Sequence, residues 1–167
     1  MYSIVIMGVS GCGKSSLAQC VAQATGLPLV EGDDYHSAAS RDKMAHGTPL
    51  TDADRAGWLA ALGNELQARP DGAVVTCSAL KRIYRDQLRQ ASPGLGFVFM
   101  DISKADAQAR VNARPAHFFS ASLVDNQFST LESPVGEPGV LRLDATLALA
   151  QLQDAVTGWL AAAKESV

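Results

Sequence analysis

Cysteine is scarce in this chain: Cys12, Cys20 and Cys77 are the only three, and none forms a C-x-x-C pair. An odd number in apolar or small-residue surroundings supports neither a disulfide framework nor a zinc site, so a reducing, cytoplasmic setting is expected. Basic charge is also in short supply. Fourteen Lys and Arg stand against seventeen Asp and Glu, the formal net charge is -3, and no basic run compensates. A nucleic-acid backbone is met by a concentrated positive surface, so nucleic acid is not expected as a partner. Long apolar runs are missing as well. The best candidate span, 145–163, carries Gln151, Gln153 and Asp154 among apolar residues at helical spacing; that describes an amphipathic helix on a core, and no membrane partner is expected. Residues 1–9 have no basic stretch and run into a glycine-rich segment, so no signal peptide is expected. Charged residues make up only 19% of the chain, too few for a disordered polyelectrolyte.

What the chain does have is a core. Of its 167 residues, 47% are hydrophobic, enough for one domain spanning 1–167. Short β-branched and apolar runs at 3–7, 28–31, 73–77, 96–100 and 140–143 read as five strands. Helical patterns occupy the stretch after Lys14 as far as Gly26, then 40–45, 52–68, 79–91, 103–113 and 147–162. Strands that alternate with helices imply a parallel sheet, because parallel neighbours need a crossover and the crossover helix covers the sheet. The expected fold is therefore three-layer α/β/α with a five-stranded parallel sheet. Two stretches break the alternation, 37–53 and 114–122, and insertions of this kind in an open α/β sheet lie near the carboxyl ends of strands, where ligands bind.

Gly8-Val9-Ser10-Gly11-Cys12-Gly13-Lys14-Ser15 satisfies G-x-x-x-x-G-K-[ST] between an apolar strand and a helix start. The glycines let consecutive backbone N–H groups turn inward toward phosphate oxygens, and the helix N-terminus, with Ser16 in its first turn, adds positive potential. Lys14 is placed to reach the β and γ phosphates, and the Ser15 hydroxyl to bind Mg²⁺. ATP and Mg²⁺ are the expected cofactors. The loop specifies a nucleotide and leaves the reaction open. A GTPase needs a guanine-reading Asn-Lys-x-Asp, which is absent, and Asp54-Arg55-Ala56-Gly57 matches the GTPase magnesium motif only inside a helical pattern. A motor-type ATPase needs an acid after a hydrophobic strand, where this chain has Ser78 after Cys77. A small kinase is left, with a non-catalytic nucleotide-binding module as the other class.

Gly32-Asp33-Asp34-Tyr35-His36 ends the second strand, on the same sheet edge as the phosphate loop. Asp33 there could take a proton from an attacking hydroxyl or order the metal shell. These motifs, with Lys43-Met44, Gly47-x-Pro49-Leu50-x-Asp52-x-Asp54-Arg55-x-x-Trp58-Leu59, Cys77-Ser78-Ala79-Leu80-Lys81-x-x-Tyr84-Arg85-Asp86, His117-Phe118-Phe119 and Gln127-Phe128-x-x-Leu131-Glu132-x-Pro134, resemble the small phosphate-loop gluconokinases over about residues 4 to 144. Ser37 and Ser40 depart from that pattern, which often has Pro and Asn there. The resemblance implies ATP-dependent phosphorylation of D-gluconate to 6-phospho-D-gluconate, a fold related to shikimate and nucleoside monophosphate kinases, a helical lid at about 110–131, and a homodimer. Other kinases of that fold are the nearest alternative.

A sugar acid offers one carboxylate and several hydroxyls, so its pocket needs cations and hydrogen-bonding groups. His36, Arg55, Lys81 and Arg85 are the candidate cations, with Lys81 and Arg85 expected on one face of helix 79–91. Ser78, His117 and Gln127 join Asp33 on the acceptor side through the resemblance. Trp58 reads as core of helix 52–68. Arg110 and Arg114 share a helical face entering the lid, where an arginine can neutralise the transferring phosphoryl group. Lys14, Asp33 and Arg114 are the expected catalytic residues.

Overall fold

A computed structural model describes residues 3–113 and 122–166. Five strands, β1 (Ile4–Met7), β2 (Leu29–Glu31), β3 (Val74–Thr76), β4 (Gly96–Asp101) and β5 (Val140–Asp144), form one sheet in the order β2-β3-β1-β4-β5. Every pairing is parallel; Val5 stands opposite Val75 on one side and Phe97 on the other. All four residues of β1 are buried, which is why its sequence is continuously apolar rather than alternating. Among the described residues seven α-helices connect and cover the sheet: α1 (Lys14–Thr25), α2 (Ala38–Ala45), α3 (Asp52–Gln67), α4 (Arg82–Ala91), α5 (Lys104–Asn112), α6 (Leu123–Thr130) and α7 (Leu149–Glu165). α1 packs against α7, and α3 against α4. The expected α/β/α fold with a five-stranded parallel sheet is the fold observed. No helix of the described residues is long and apolar enough to cross a membrane.

The chain lays β2 and β3 on one side of β1, then crosses to lay β4 and β5 on the other. This reversal opens a crevice at the carboxyl ends of the central strands, and the phosphate loop leaves β1 there. Local chemistry sets the helix starts around it. Thr51 and Asp54 form a capping box at the N-terminus of α3, and a hydrogen bond from Lys43 holds the Asp54 carboxyl down at about 2. Asp54 is thus a structural cap, as expected for a chance match to the GTPase pattern. Ser37, the departure from the family pattern, accepts from the Ser40 backbone N–H and caps α2.

One boundary differs from expectation. The helix expected over 79–91 begins only at Arg82, because Ala79 is left-handed with φ 47°. A non-glycine residue there costs about 1 kcal/mol or more, and such strain clusters at functional sites. The surrounding contacts hold it: the Arg85 guanidinium donates to Ala79 O at 2.7 Å, and Gly8 N donates to Ser78 O at 3.3 Å.

Candidate active site

The phosphate loop closes on itself. Gly11 and Gly13 have φ of 85° and 93°, and a Cβ on Gly11 would lie 2.8 Å from Ala107 O, so no other residue fits that point. Lys14 Nζ donates to Gly8 O and Val9 O, each at 3.0 Å. Ser10, Gly11, Gly13, Lys14, Ser15 and Ser16 line a cavity, while Gly8, Val9 and Cys12 lie buried beneath. The opposing wall comes from the turn after β2, from α2 and the following loop, from α3, from Ser78 after β3, and from α6. Asp33, His36, Arg55, Ser78 and Gln127, all expected on the acceptor side, are brought together here.

Their chemistry is uneven. The Asp33 carboxylate is largely exposed, and its Oδ1 lies 3.8 Å from His36 Nε2. That contact is not an ion pair at neutral pH: burial, which outweighs the nearby Asp33 charge, pushes His36 down to about 4. The His36 ring stacks on Trp58 with centroids 4.0 Å apart, and its buried Nδ1 has no hydrogen-bond partner among the described residues. Arg55 is 7% exposed, its guanidinium 5.4 Å from the centre of the Tyr84 ring, and its Nε also lacks a partner among the described residues. A buried cation with unmet donors in a cavity wall is a receptor for an anion. Gln127 Oε1 accepts from Ser10 N at 2.6 Å, so the side chain from α6 occupies one of the loop's inward N–H groups.

The expectation for Lys81 and Arg85 is corrected, since neither lines the cavity. Lys81 precedes α4 as its cap and donates to Asp52 Oδ1 at 3.0 Å, a carboxylate it shares with the Tyr84 hydroxyl. Those two hydrogen bonds, the one from Tyr84 first, hold the Asp52 carboxyl below its ordinary value. Arg85 is fully buried and spends its donors on Glu137, Glu132 O and Ala79 O. Burial pushes Glu137 up, but hydrogen bonds from Arg85 and Arg89 outweigh it and the carboxyl stays below its ordinary value. Arg85 therefore props the strained Ser78–Ala79 turn from behind. Arg85→Ala is expected to cost about 3–5 kcal/mol of stability, the scale for breaking a buried pair, with the KM for the acceptor unchanged in the folded fraction. Denaturant unfolding alongside kinetics checks this; a stable variant with a raised acceptor KM would return Arg85 to the pocket.

Arg110 donates to Gly11 O, Cys12 O and Ala145 O, joining α5 to the phosphate loop and to the turn after β5. Arg114 and His117 lie outside the described residues. Three contributors to the site escaped the sequence reading. Glu31 Oε2 accepts from Ser15 Oγ at 3.0 Å and from Thr76 Oγ1 at 2.8 Å. Its signal was a carboxylate ending the second strand, beside the phosphate loop. Trp58 lines the cavity as well as the core, on the α3 face that carries Arg55 three residues earlier. Asn126, beside Gln127, is also in the wall.

Residues 4–134 match a protein-family model described as AAA domain. The chain is 45% identical to a gluconokinase of Gluconobacter oxydans over 143 residues, covering 84% of this chain and 80% of that protein. It is 40% identical to the thermoresistant gluconokinase of Escherichia coli, over 84% of this chain and 82% of that one. The crystal structure of a gluconokinase from Sinorhizobium meliloti superposes with a TM-score of 0.90 at 45% identity, covering 99% of this chain and 94% of that one.

Proposed function

This chain belongs to the gluconokinase family, within the domains described as AAA domain, and from that premise we propose how it transfers the γ-phosphoryl group of ATP to D-gluconate, giving 6-phospho-D-gluconate. The observation that carries the reading is the cavity itself: a phosphate loop faces an exposed carboxylate and a buried arginine whose Nε has no hydrogen-bond partner among the described residues. ATP phosphates lie on the backbone N–H groups of Gly13 to Ser16, with Lys14 on the transferring group. Arg110 serves the nucleotide side and Arg114, in the lid at about 110–131, the transferring charge, as the resemblance implies.

Mg²⁺ suits the donors present. Ser15 and Glu31 offer hard oxygens within 3.0 Å of each other, and no cluster of three His, Cys, Asp or Glu among the described residues forms an all-protein cage. A cation held with nucleotide phosphates has that character. When bound it would spread the phosphate charge, with Ser15 as ligand and Glu31 beside it.

Asp33 orients the acceptor hydroxyl and takes its proton as the oxygen attacks phosphorus in line with the departing ADP oxygen. Arg55 binds the gluconate carboxylate. His36, neutral and with a free ring nitrogen, meets a hydroxyl, as do Ser78, Gln127 and, through the resemblance, His117. The free cysteines and the resemblance support a cytoplasmic homodimer in one domain.

ADP release measured over gluconate, glucose, shikimate and nucleoside monophosphates tests the acceptor. Gluconate is expected to exceed glucose by about 10⁴-fold, since a site built for a polar group rejects an analogue lacking it. Arg55→Ala is expected to raise the gluconate KM by about 10- to 10²-fold, the worth of a charged hydrogen bond, and to leave the ATP KM in place. Equal rates with both sugars, or a shift confined to ATP, would overturn the assignment.

A further inference from the structure

The two peptide units that meet at Gly32 are each held. The Gly32 N–H donates to Thr76 Oγ1 at 3.0 Å, and the Gly32 carbonyl accepts from the Trp58 indole N–H at 2.7 Å. The turn is pressed against the end of β3 so closely that a Cβ on Gly32 would lie 2.0 Å from Thr76 O. Glycine is required by this approach, yet it is the softest backbone position in any loop. Two carboxylates flank it: Glu31, bonded to Ser15 and Thr76, and Asp33, facing the acceptor. The Asp33 Cα stands about 3.8 Å from that of Gly32, so a change in the Gly32 backbone dihedrals swings Asp33 and its carboxylate with it. The same indole also reaches the far end of the turn, where it stacks on the His36 ring at an interplanar angle of 23°.

We infer that Trp58 is a positioning residue for phosphoryl transfer: by holding the Gly32 carbonyl through its indole N–H, it sets where the Asp33 carboxylate stands. The inference rests on the reading of Asp33 as the acceptor-side base. A tryptophan present only to fill the core uses its area, and phenylalanine keeps most of that area and the stack on His36. What phenylalanine removes is the donor to Gly32 O. Misplacing a reacting group by about 1 Å costs on the order of 10²-fold, so even a partial release of the turn is visible in kcat.

The test is a double-mutant cycle of Trp58→Phe and Asp33→Asn, read as kcat and KM with ATP and gluconate. Trp58→Phe alone is expected to lower kcat by about 10-fold with the ATP KM unchanged. In the Asp33→Asn background the same substitution is expected to change kcat by less than about 2-fold, because no base is left to misplace. Equal losses in both backgrounds, or no loss in the wild-type background, would overturn the inference and return Trp58 to packing. An unchanged kcat in Asp33→Asn alone is a different failure: it removes Asp33 from the chemistry and this role of Trp58 with it. Should Trp58→Phe not fold, Thr76→Val releases the Gly32 N–H, on the other side of the same residue. Its loss of kcat is then expected to be smaller in the Asp33→Asn background than in the wild type, and an equal loss overturns the inference.

Discussion

Lys14→Ala is expected to lower kcat by at least about 10²-fold, the scale for removing one preorganised donor from a developing negative charge. The ammonium is held within the phosphate loop by two carbonyls, Gly8 O and Val9 O, at 3.0 Å each. The fold should survive, because Lys14 is only half-buried and the core beneath consists of Val9, Cys12 and Leu17. Circular dichroism and a thermal melt on the preparation used for kinetics make the comparison clean. Near-full activity in a folded Lys14→Ala protein would remove the central claim about the loop.

Asp33→Asn is expected to lower kcat by about 10²-fold or more, the usual scale of general-base catalysis, with ATP binding little changed. Asparagine keeps the size and much of the hydrogen bonding and removes charge and basicity. His36 beside it is neutral at pH 7, and Arg41 donates to the Asp33 backbone carbonyl at 2.8 Å. A turn residue without chemistry would behave differently: stability would fall by about 1 kcal/mol or less and kcat in the folded fraction would not move. Measuring kcat and unfolding on one preparation separates these outcomes.

Arg55 and Arg85 show how two similar residues part company on folding. Each follows a helix start by a few positions, and each resembles the family pattern equally well. Arg55 ends with an unmatched Nε in the cavity wall, whereas Arg85 ends with a carboxylate and two carbonyls around its guanidinium. The difference comes from residues 132–137, which follow α6 and supply Glu132 O and Glu137 behind α4. A buried arginine is neutralised by whatever anion reaches it first; for Arg85 that is the chain itself, and for Arg55 the anion we propose is the carboxylate of the substrate.

Local signals carried much of the molecule. The phosphate loop, the strand and helix alternation and the Gly32-Asp33 turn were legible in the sequence because each depends on residues adjacent in the chain: glycines at positive φ, buried runs of β-branched residues, short caps. The resemblance extended that reading to the acceptor side and to the reaction. Strand order was not legible, since the sequence of β2, β3 and β1 across the sheet depends on which crossovers pack, not on any one strand's composition. Nor were Glu31, the Trp58 bond to Gly32 O, or the burial of Arg85. Each is made across 16 to 52 residues of chain. The period of a helix states which side chains share a face; only the packed structure decides whether that face meets solvent, a cavity or a carboxylate, because burial and partner choice are properties of what lies opposite.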